Sequence, residues 1–308
     1  MILQRIASST TAFPATTAPA GPNAGPRVAT PSAQEGVLID RMRASETLEH
    51  ITVLNASPRT WRTEGYDVGA KYVIDQMTAL GWEVHIEELP ASGFMVRGIV
   101  KNVIATRPGT AAVGDRKLVV AGAHLDSVKN GPGANDNASG SATLLELAKA
   151  YEGIDTANDI KLIWFDGEEA GLLGSTAYAS RHAGDAARTI AMVNMDMVGS
   201  IHGRVGYDLG IKTGTSAVSD ALKGVQLRTG LSAVEYAERH SRSDHASFDR
   251  AGIPAIDFGV SVKGVEQDDP YYHSPKDTAD KINSQVLEGY GDLIAVTLLE
   301  LANRTSRW

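Results

Sequence analysis

Acidic and histidine side chains follow three apolar segments of the chain. They are His124 and Asp126 in "VVAGAHLDS", Asp166, Glu168 and Glu169 in "WFDGEEAGLLGS", and Asp196 in "VNMDMVG". Two adjacent glutamates repel each other unless a cation lies near them. Burying an unpaired Asp196 among apolar neighbours would cost several kcal/mol of desolvation free energy. These segments therefore indicate a site that holds positive charge.

Two further groups could complete such a site. Asp136 stands in the glycine- and asparagine-rich "GPGANDNASG", and Tyr272 and His273 stand in "DDPYYHSPKDT". Each group alone has an ordinary structural interpretation, such as a helix cap or a loop. Together, two histidines, three carboxylates and one further glutamate indicate a metal centre with oxygen and nitrogen ligands. Two divalent cations would balance three carboxylates and a bridging hydroxide, whereas one cation would leave the site anionic, so two ions fit better.

The predicted elements bring these groups to one edge of a sheet. Continuous apolar runs predict buried strands over 117–127, 159–166, 189–199 and 253–260, and two more strands are predicted over 81–89 and 96–109. Helical spacing predicts helices over 36–55, 65–81, 139–153 and 284–304, and one more that begins with the acidic residues 168–169. Alternating strands and helices predict an α/β fold whose largely parallel sheet is covered on both faces. Functional residues of such folds gather at the carboxyl ends of the strands.

Composition excludes several classes of protein. The 308 residues are 43% hydrophobic and 21% charged, which is typical of a soluble globular protein. The net charge of -8 argues against nucleic acid or an anionic membrane as the main partner, and no apolar run is long enough for a transmembrane helix. Because cysteine is absent, disulfides and thiolate chemistry are excluded, and any metal must be held by His, Asp and Glu.

The first 35 residues differ from the rest of the chain. Residues 1–35 are rich in Ser, Thr, Ala, Pro and Gly, so we predict a disordered leader there and a single catalytic domain over 36–308. The apolar part of "MILQRIA" is too short for the core of a signal peptide. The leader is either the remainder of a trimmed export signal or a flexible segment.

Six motifs give the sequence a family resemblance. "AHLDS", "GANDNASG", "FDGEEAGLLGS", "NMDMVGS", "SRSDHASF" and "YYHSPKDT" occur in the order found in the co-catalytic di-zinc aminopeptidases of the aminopeptidase Y type. The chain resembles that family over roughly residues 37–305. The resemblance implies a single three-layer α/β/α domain with a mostly parallel, mixed sheet, an exported enzyme, and peptide substrates with a free N-terminus. We expect a monomer.

The resemblance also implies the metal ligands. Asp136 would bridge two Zn²⁺ ions, His124 and Asp196 would complete one ion, and Glu169 and His273 would complete the other. Cobalt or manganese could occupy the same donor set. A cis peptide bond is implied after Asp136.

Four other residues receive roles from the same resemblance. Glu168 would be the general base that takes a proton from the zinc-activated water and gives it to the leaving amine. Asp126 would orient His124 through its other ring nitrogen, and Tyr272 would donate a hydrogen bond to the oxyanion. Arg242 would face the substrate, with an ordinary surface arginine as the alternative. Asp196 and Glu168 would contribute to holding the α-amino group of the substrate.

Three alternatives remain beside an aminopeptidase. A glutaminyl cyclase shares the fold and an "FDGEEA"-like stretch but uses one zinc ion. A carboxypeptidase or dipeptidase would need a cationic recess for the substrate carboxylate, and the sequence shows none plainly. An inactive peptide-binding relative would have lost a ligand or the base, yet all of them are present here.

Overall fold

Eight strands in the described part of the chain form one mixed sheet, and its centre consists of the apolar strands that the sequence predicts. The computed structural model describes residues 30–93, 96–214, 217–261 and 265–306. Its strands are β1 (Glu83–Gly93), β2 (Val96–Arg107), β3 (Leu118–His124), β4 (Asp159–Phe165), β5 (Thr189–Asp196), β6 (Gly206–Leu209), β7 (Val234–Glu235) and β8 (Ala255–Gly259). The order across the sheet is β1-β2-β4-β3-β5-β8-β6-β7. Strands β4, β3, β5 and β8 run parallel, so their carboxyl ends share one edge.

Helices cover both faces of this sheet, which confirms the three-layer α/β/α fold. They are α1 (Ala33–Arg41), α2 (Ala44–Leu54), α3 (Glu64–Ala79), α4 (Gly140–Ala150), α5 (Leu173–Arg181), α6 (Ala217–Thr229), α7 (His245–Arg250), α8 (Val265–Asp268) and α9 (Ser284–Ala302). Strand residues alternate between the two hydrophobic cores: Val119 and Ala121 pack on the α4 and α9 side, and Leu118 and Val120 pack on the α5 and α7 side. No helix in the described ranges is long and apolar enough to cross a membrane.

The first predicted helix begins earlier than the sequence predicts and is divided in two. Ser32 caps α1 through a reciprocal pair of hydrogen bonds with Glu35, so residues 33–35 are helical and the predicted leader is too long by these residues. Residues 1–29 of that leader lie outside the described part of the chain. The single helix predicted over 36–55 is two helices, because Met42 and Arg43 adopt extended backbone conformations between them.

The acidic pair after β4 does not begin a helix, contrary to the prediction. Glu168 and Glu169 lie in a turn, and α5 starts only at Leu173. Gly167 and Gly171 have φ values of 69° and 105°, a region that favours glycine. The turn therefore separates the glutamates from the helix and leaves both side chains at the carboxyl edge of the sheet.

Candidate metal centre and active site

Each side chain that the sequence singles out as a metal ligand reaches the same edge of the sheet. His124 and Asp196 are the last residues of β3 and β5. Asp136 lies in the turn before α4, Glu169 in the turn after β4, and His273 in the loop between α8 and α9. The parallel strands and the loops at their carboxyl edge thus bring together residues that are up to 149 positions apart along the chain, between 124 and 273.

The predicted ligands form two groups of three side chains that come close enough to hold metal ions, and the two groups share Asp136. In the first group, His124 Nε2 lies 3.2 Å from Asp136 Oδ1 and 3.3 Å from Asp196 Oδ1. In the second group, His273 Nε2 lies 3.1 Å from Asp136 Oδ2 and 3.0 Å from Glu169 Oε2. The two oxygens of one carboxylate therefore face two different imidazoles.

These donor atoms are spaced as the ligands of zinc are. Two ligands about 2.0 Å from a tetrahedral zinc ion lie about 3.3 Å apart, which agrees with the separations of 3.0–3.3 Å found in both groups. Asp196 Oδ1 and Glu169 Oε1 are buried and have no hydrogen-bond partner in the described part of the chain. A buried carboxylate oxygen without a partner is costly, and a cation would remove that cost. The residues fit a divalent metal at both groups.

The pKa values of the same side chains reflect an excess of negative charge. Burial favours the neutral imidazole of His273, but Asp136 and Glu169 raise its pKa to about 10. Burial likewise opposes the charged form of His124, yet Asp196 and Glu168 raise its pKa well above the usual value. Burial raises the pKa of Glu169 to about 7. The excess of carboxylates therefore favours positive charge at this site.

The carboxylate of Asp126 is fully buried and holds the turn that carries the two glutamates. Its Oδ1 accepts a 3.0 Å hydrogen bond from the backbone N–H of Glu168, and its Oδ2 accepts one of 3.2 Å from Glu169. His124 Nδ1 lies 3.1 Å from the backbone carbonyl oxygen of Asp126 but 3.6 Å from its carboxylate, which is too long for a hydrogen bond. The expected contact between Asp126 and the ring is therefore made by the backbone.

The turn that presents Asp136 is held from the other side by Asp277. Asp277 accepts hydrogen bonds from the backbone N–H groups of Asn135 and Asp136, at 2.8 and 3.0 Å. The turn spans Ala134–Ser139, and the Asp136–Asn137 peptide bond is cis, as the resemblance implies. Asp277 stands in the "YYHSPKDT" motif but was not singled out from the sequence.

A buried arginine fixes the segment that leads into this turn. Arg59 is 1% exposed, and its guanidinium donates to the carbonyls of Pro132 and Gly133, at 2.7 and 2.9 Å. It also donates to the carbonyls of Leu54 and Leu125. Sequence reasoning missed Arg59, because nothing in "SPRTW" indicates that this arginine is buried.

Three other predicted site residues line the cleft above the metal groups. Glu168, Tyr272 and Arg242 all border it. Arg242 is exposed and its Nη2 donates to the Tyr272 hydroxyl at 3.4 Å, while the Tyr272 ring stacks on His273 with centroids 3.8 Å apart. Burial raises the pKa of Tyr272, so its hydroxyl keeps its proton. Burial also raises the pKa of Glu168 well above the usual value for a glutamate.

A second group of titratable side chains adjoins the cleft, and sequence reasoning did not find it. Asp208 on β6 and Asp257 on β8 flank His240, whose Nε2 lies 3.1 Å from Asp208 Oδ2 and 3.4 Å from Asp257 Oδ2. His245 lies next to them. Burial raises the pKa of Asp208 to about 9 and that of Asp257 to about 7. The available signal was Asp257 itself, a carboxylate inside the apolar strand "IPAIDFGV".

Comparison with known proteins identifies the class to which this fold and site belong. The model of peptidase family M28 matches residues 102–298, which is more than half of the chain and includes all five candidate ligands. The chain belongs to peptidase family M28.

Individual relatives agree with this assignment. Leupeptin-inactivating enzyme 1 of Streptomyces exfoliatus is 30% identical over 277 residues, covering 84% of this chain and 60% of the relative. Aminopeptidase YwaD of Bacillus subtilis is 30% identical over 193 residues, covering 62% of this chain and 42% of the relative. The chain thus spans 60% or less of the length of these two curated relatives.

Solved structures share the fold at low sequence identity. An aminopeptidase from Aneurinibacillus sp. strain AM-1 superimposes with a TM-score of 0.75 at 21% identity, covering 89% of this chain and 97% of that one. A zinc aminopeptidase from Bacillus subtilis gives 0.76 at 18% identity, covering 85% and 96%. A glutaminyl cyclase from Porphyromonas gingivalis gives 0.68 at 20% identity, covering 83% and 97%. The fold by itself therefore does not separate peptidase from cyclase.

Proposed function

We propose that this chain is a metal-dependent aminopeptidase that removes the first residue of peptides and holds two zinc ions in its site. The observation that carries the proposal is the shared carboxylate, because Asp136 places one oxygen near His124 and the other near His273. Membership of peptidase family M28 supports the reaction class. An aminopeptidase relative and a zinc aminopeptidase with this fold support the metal and the substrate class.

The proposed ligand assignment follows the two groups described above. His124 and Asp196 would hold one ion, Glu169 and His273 would hold the other, and Asp136 would contact both. Bound zinc would supply Lewis acidity, which lowers the pKa of a coordinated water and polarises the scissile carbonyl. The three carboxylates of this donor set would offset most of the charge of two divalent ions.

Glu168 would be the general base. Its backbone N–H is fixed by Asp126, and its side chain faces the cleft without belonging to either ligand group. A carboxylate in this position would accept a proton from the attacking water and then deliver it to the nitrogen of the leaving amine. Positive charge in the two ligand groups would lower the raised pKa of Glu168 and keep it ionised before the reaction.

The substrate would be bound and oriented by Tyr272, Arg242 and Asp196. The Tyr272 hydroxyl keeps its proton and would donate a hydrogen bond to the oxyanion that forms on the scissile carbonyl. Arg242 Nη2, which contacts the same hydroxyl, would orient it and border the substrate. Asp196 and Glu168 would accept hydrogen bonds from the free α-amino group, which explains why a blocked N-terminus would be rejected.

The test compares matched substrates of the zinc-loaded protein. Leucine and methionine p-nitroanilides are assayed beside their N-acetyl forms, and a glutaminyl peptide is assayed for ammonia release. The proposal predicts hydrolysis of the free-amino anilides only. Equal hydrolysis of the acetylated forms would contradict it, and ammonia release from the glutaminyl peptide without bond cleavage would assign the site to a cyclase.

A further inference from the structure

The second titratable group, which we call the acid pocket, consists of Asp208, His240, His245 and Asp257. When its two carboxyl groups are ionised, it contains more hydrogen-bond acceptors than donors. The side chain of Asp208 is only 1% exposed, and neither of its oxygens makes a well-directed hydrogen bond in the described part of the chain, although N–H groups of His240 lie nearby. His245 Nε2 pairs with the backbone carbonyl of His240 at 3.0 Å, so it carries the ring proton and Nδ1 is a bare acceptor. That Nδ1 also lacks a partner and lies 3.5 Å from Asp257 Oδ2.

The ring of His240 does not supply the missing hydrogen-bond donors. His240 Nδ1 accepts the backbone N–H of Arg242 at 3.2 Å, so the neutral ring carries its proton on Nε2. This one proton faces two carboxylates, Asp208 at 3.1 Å and Asp257 at 3.4 Å. The positive charge of Arg239 influences Asp208, but the Arg239 guanidinium donates to the carbonyl of Gly210 at 3.4 Å. Among the residues that the structure describes, no group in the acid pocket carries both positive charge and several N–H donors.

The same tautomer argues against a metal ion in this pocket. Asp208, His240 and His245 are close enough to be ligands. A ligand nitrogen must offer a lone pair, however, and the Nε2 of His240 is occupied by a proton as long as Nδ1 accepts from the backbone. An organic cation with N–H donors fits the acceptors better than a metal ion does.

The acid pocket opens on the cleft of the candidate metal centre. His240 and Asp257 line this cleft together with Glu168 and Asp196. Asp257 is the cross-strand partner of Asn194, and Asn194 Nδ2 donates to Asp257 Oδ1 at 2.7 Å. Side chains two residues apart on a strand share a face, so Asp196, Asn194 and Asp257 point to the same side of the sheet.

The distance between the two sites matches the length of a long side chain. Asp257 is on the strand next to that of Asp196, two residues before the position that pairs with Asp196. The Cα atoms of Asp196 and Asp257 are therefore separated by about 8 Å. An extended arginine side chain reaches about 6 Å from Cα to the guanidinium carbon. The intervening cleft includes the apolar side chains of Met197, Val260 and Val265, which suit the aliphatic stem of lysine or arginine.

We propose that the acid pocket recognises a positively charged side chain on the first residue of the substrate, so that the enzyme prefers peptides beginning with arginine or lysine. This inference rests on the proposed aminopeptidase function, because it places the substrate Cα beside Asp196. Asp257 would meet the cation first, and Asp208 and His245 Nδ1 would accept its deeper N–H groups. Arginine, with five N–H donors in a fixed plane, would use more of these acceptors than lysine.

The kinetic test compares arginine with its neutral isostere citrulline. The ratio of kcat/KM for arginine over citrulline p-nitroanilide is expected to exceed about 10, because a neutral urea leaves buried carboxylates unpaired. Asp208→Asn and Asp257→Asn are expected to reduce this ratio toward one. Asp220→Asn, an exposed carboxylate on α6, is the matched control and keeps the ratio. A wild-type ratio near one, or a ratio that survives both variants, would overturn the inference.

A binding measurement separates this inference from the proposed function. L-argininamide and L-citrullinamide are titrated calorimetrically into the zinc-loaded protein, and tighter binding of argininamide that is lost in Asp257→Asn supports the acid pocket even if no anilide is cleaved. Equal binding of the two amides overturns it even if leucine anilide is hydrolysed. Mass spectrometry also counts the metal ions bound to the wild type and to Asp208→Asn. If the variant binds one ion fewer, the acid pocket is a metal site and the inference is overturned.

Discussion

The carboxylate oxygen Oδ1 of Asp126 accepts a 3.0 Å hydrogen bond from the backbone N–H of Glu168. Its second oxygen accepts the next N–H along the chain, that of Glu169. One buried side chain thus fixes the backbone of both the proposed base and a proposed ligand. The position of the acidic pair depends on this contact as well as on the glycines of the turn.

Replacing Asp126 with asparagine should loosen this turn. Asparagine keeps one acceptor oxygen but presents an NH₂ group to the second N–H, so one of the two hydrogen bonds becomes a repulsion. We expect Asp126→Asn to lower metal affinity or kcat/KM by about 10- to 100-fold. Zinc-binding competition and anilide hydrolysis measure the two effects. Asp115→Asn, an exposed control, should change neither, and wild-type values in Asp126→Asn would contradict the positioning role.

Glu168→Gln should separate proton transfer from metal binding. Glutamine has nearly the same shape but cannot accept the proton of the attacking water, so we expect kcat to fall by at least about 100-fold. Bound zinc, measured by mass spectrometry, should stay at the wild-type amount, because Glu168 belongs to neither ligand group. Glu152→Gln provides an exposed control. If Glu168→Gln kept wild-type kcat, another group would have to be the base.

The sequence predicts the parts of the fold whose pattern is strong. The four strands β3, β4, β5 and β8 were recognisable because most of their residues are apolar, and β3 and β8 are buried along their whole length. Strands β6 and β7 were not predicted, because four and two residues are too few to form a periodic pattern. The start of α5 was misplaced, because the pattern of apolar residues does not show that Gly171 has a positive φ.

The residues of the candidate site could likewise be predicted only where the sequence pattern is strong. His124, Asp136 and Asp196 could be proposed from motifs, because parallel strands end at one edge and the family resemblance supplies roles. The acid pocket could not be found in this way, because Asp208 and His240 belong to no motif and meet only after β6 and β8 pair in an antiparallel manner. A contact between segments without a sequence pattern depends on the whole topology.

Arg59 should contribute mainly to stability. Its guanidinium donates four hydrogen bonds to buried carbonyls, and lysine at this position can satisfy only some of them. We expect Arg59→Lys to lower the free energy of unfolding by roughly 3 kcal/mol, measured by denaturant unfolding of the metal-free protein. Arg62→Lys is the matched control at an exposed position and should change this free energy little. A difference below about 0.5 kcal/mol between the two variants would show that the carbonyls find other donors.

Glu146 on α4 should give stability a pH dependence away from the site. Its side chain is 1% exposed, neither oxygen has a hydrogen-bond partner in the described ranges, and Lys149 Nζ is 4.0 Å away. Burial raises its pKa from 4.5 to about 7. A carboxyl group whose pKa is raised by folding is protonated more readily in the folded state, so its stabilising effect is lost as the pH rises from about 4.5 through 7.

Glu146→Gln removes this titration. The variant should gain stability relative to the wild type between pH 5 and pH 8, by roughly 1–2 kcal/mol after allowance for solvent screening. Denaturant unfolding at the two pH values measures the change, and taking the difference between variant and wild type cancels the titration of all other groups. Glu152→Gln should show no such change. A stability difference that is the same at pH 5 and pH 8 would contradict the assignment.

The most direct test of the two-ion account is a zinc titration of the metal-free protein. Hydrolysis of a free-amino anilide is followed as zinc is added, and bound zinc is counted at each step. The account predicts no activity without metal, a plateau at two bound ions per chain, and loss of both ions in Asp136→Asn, whose carboxylate faces both imidazoles. Full activity with one bound ion, or activity that persists in the metal-free protein, would contradict it.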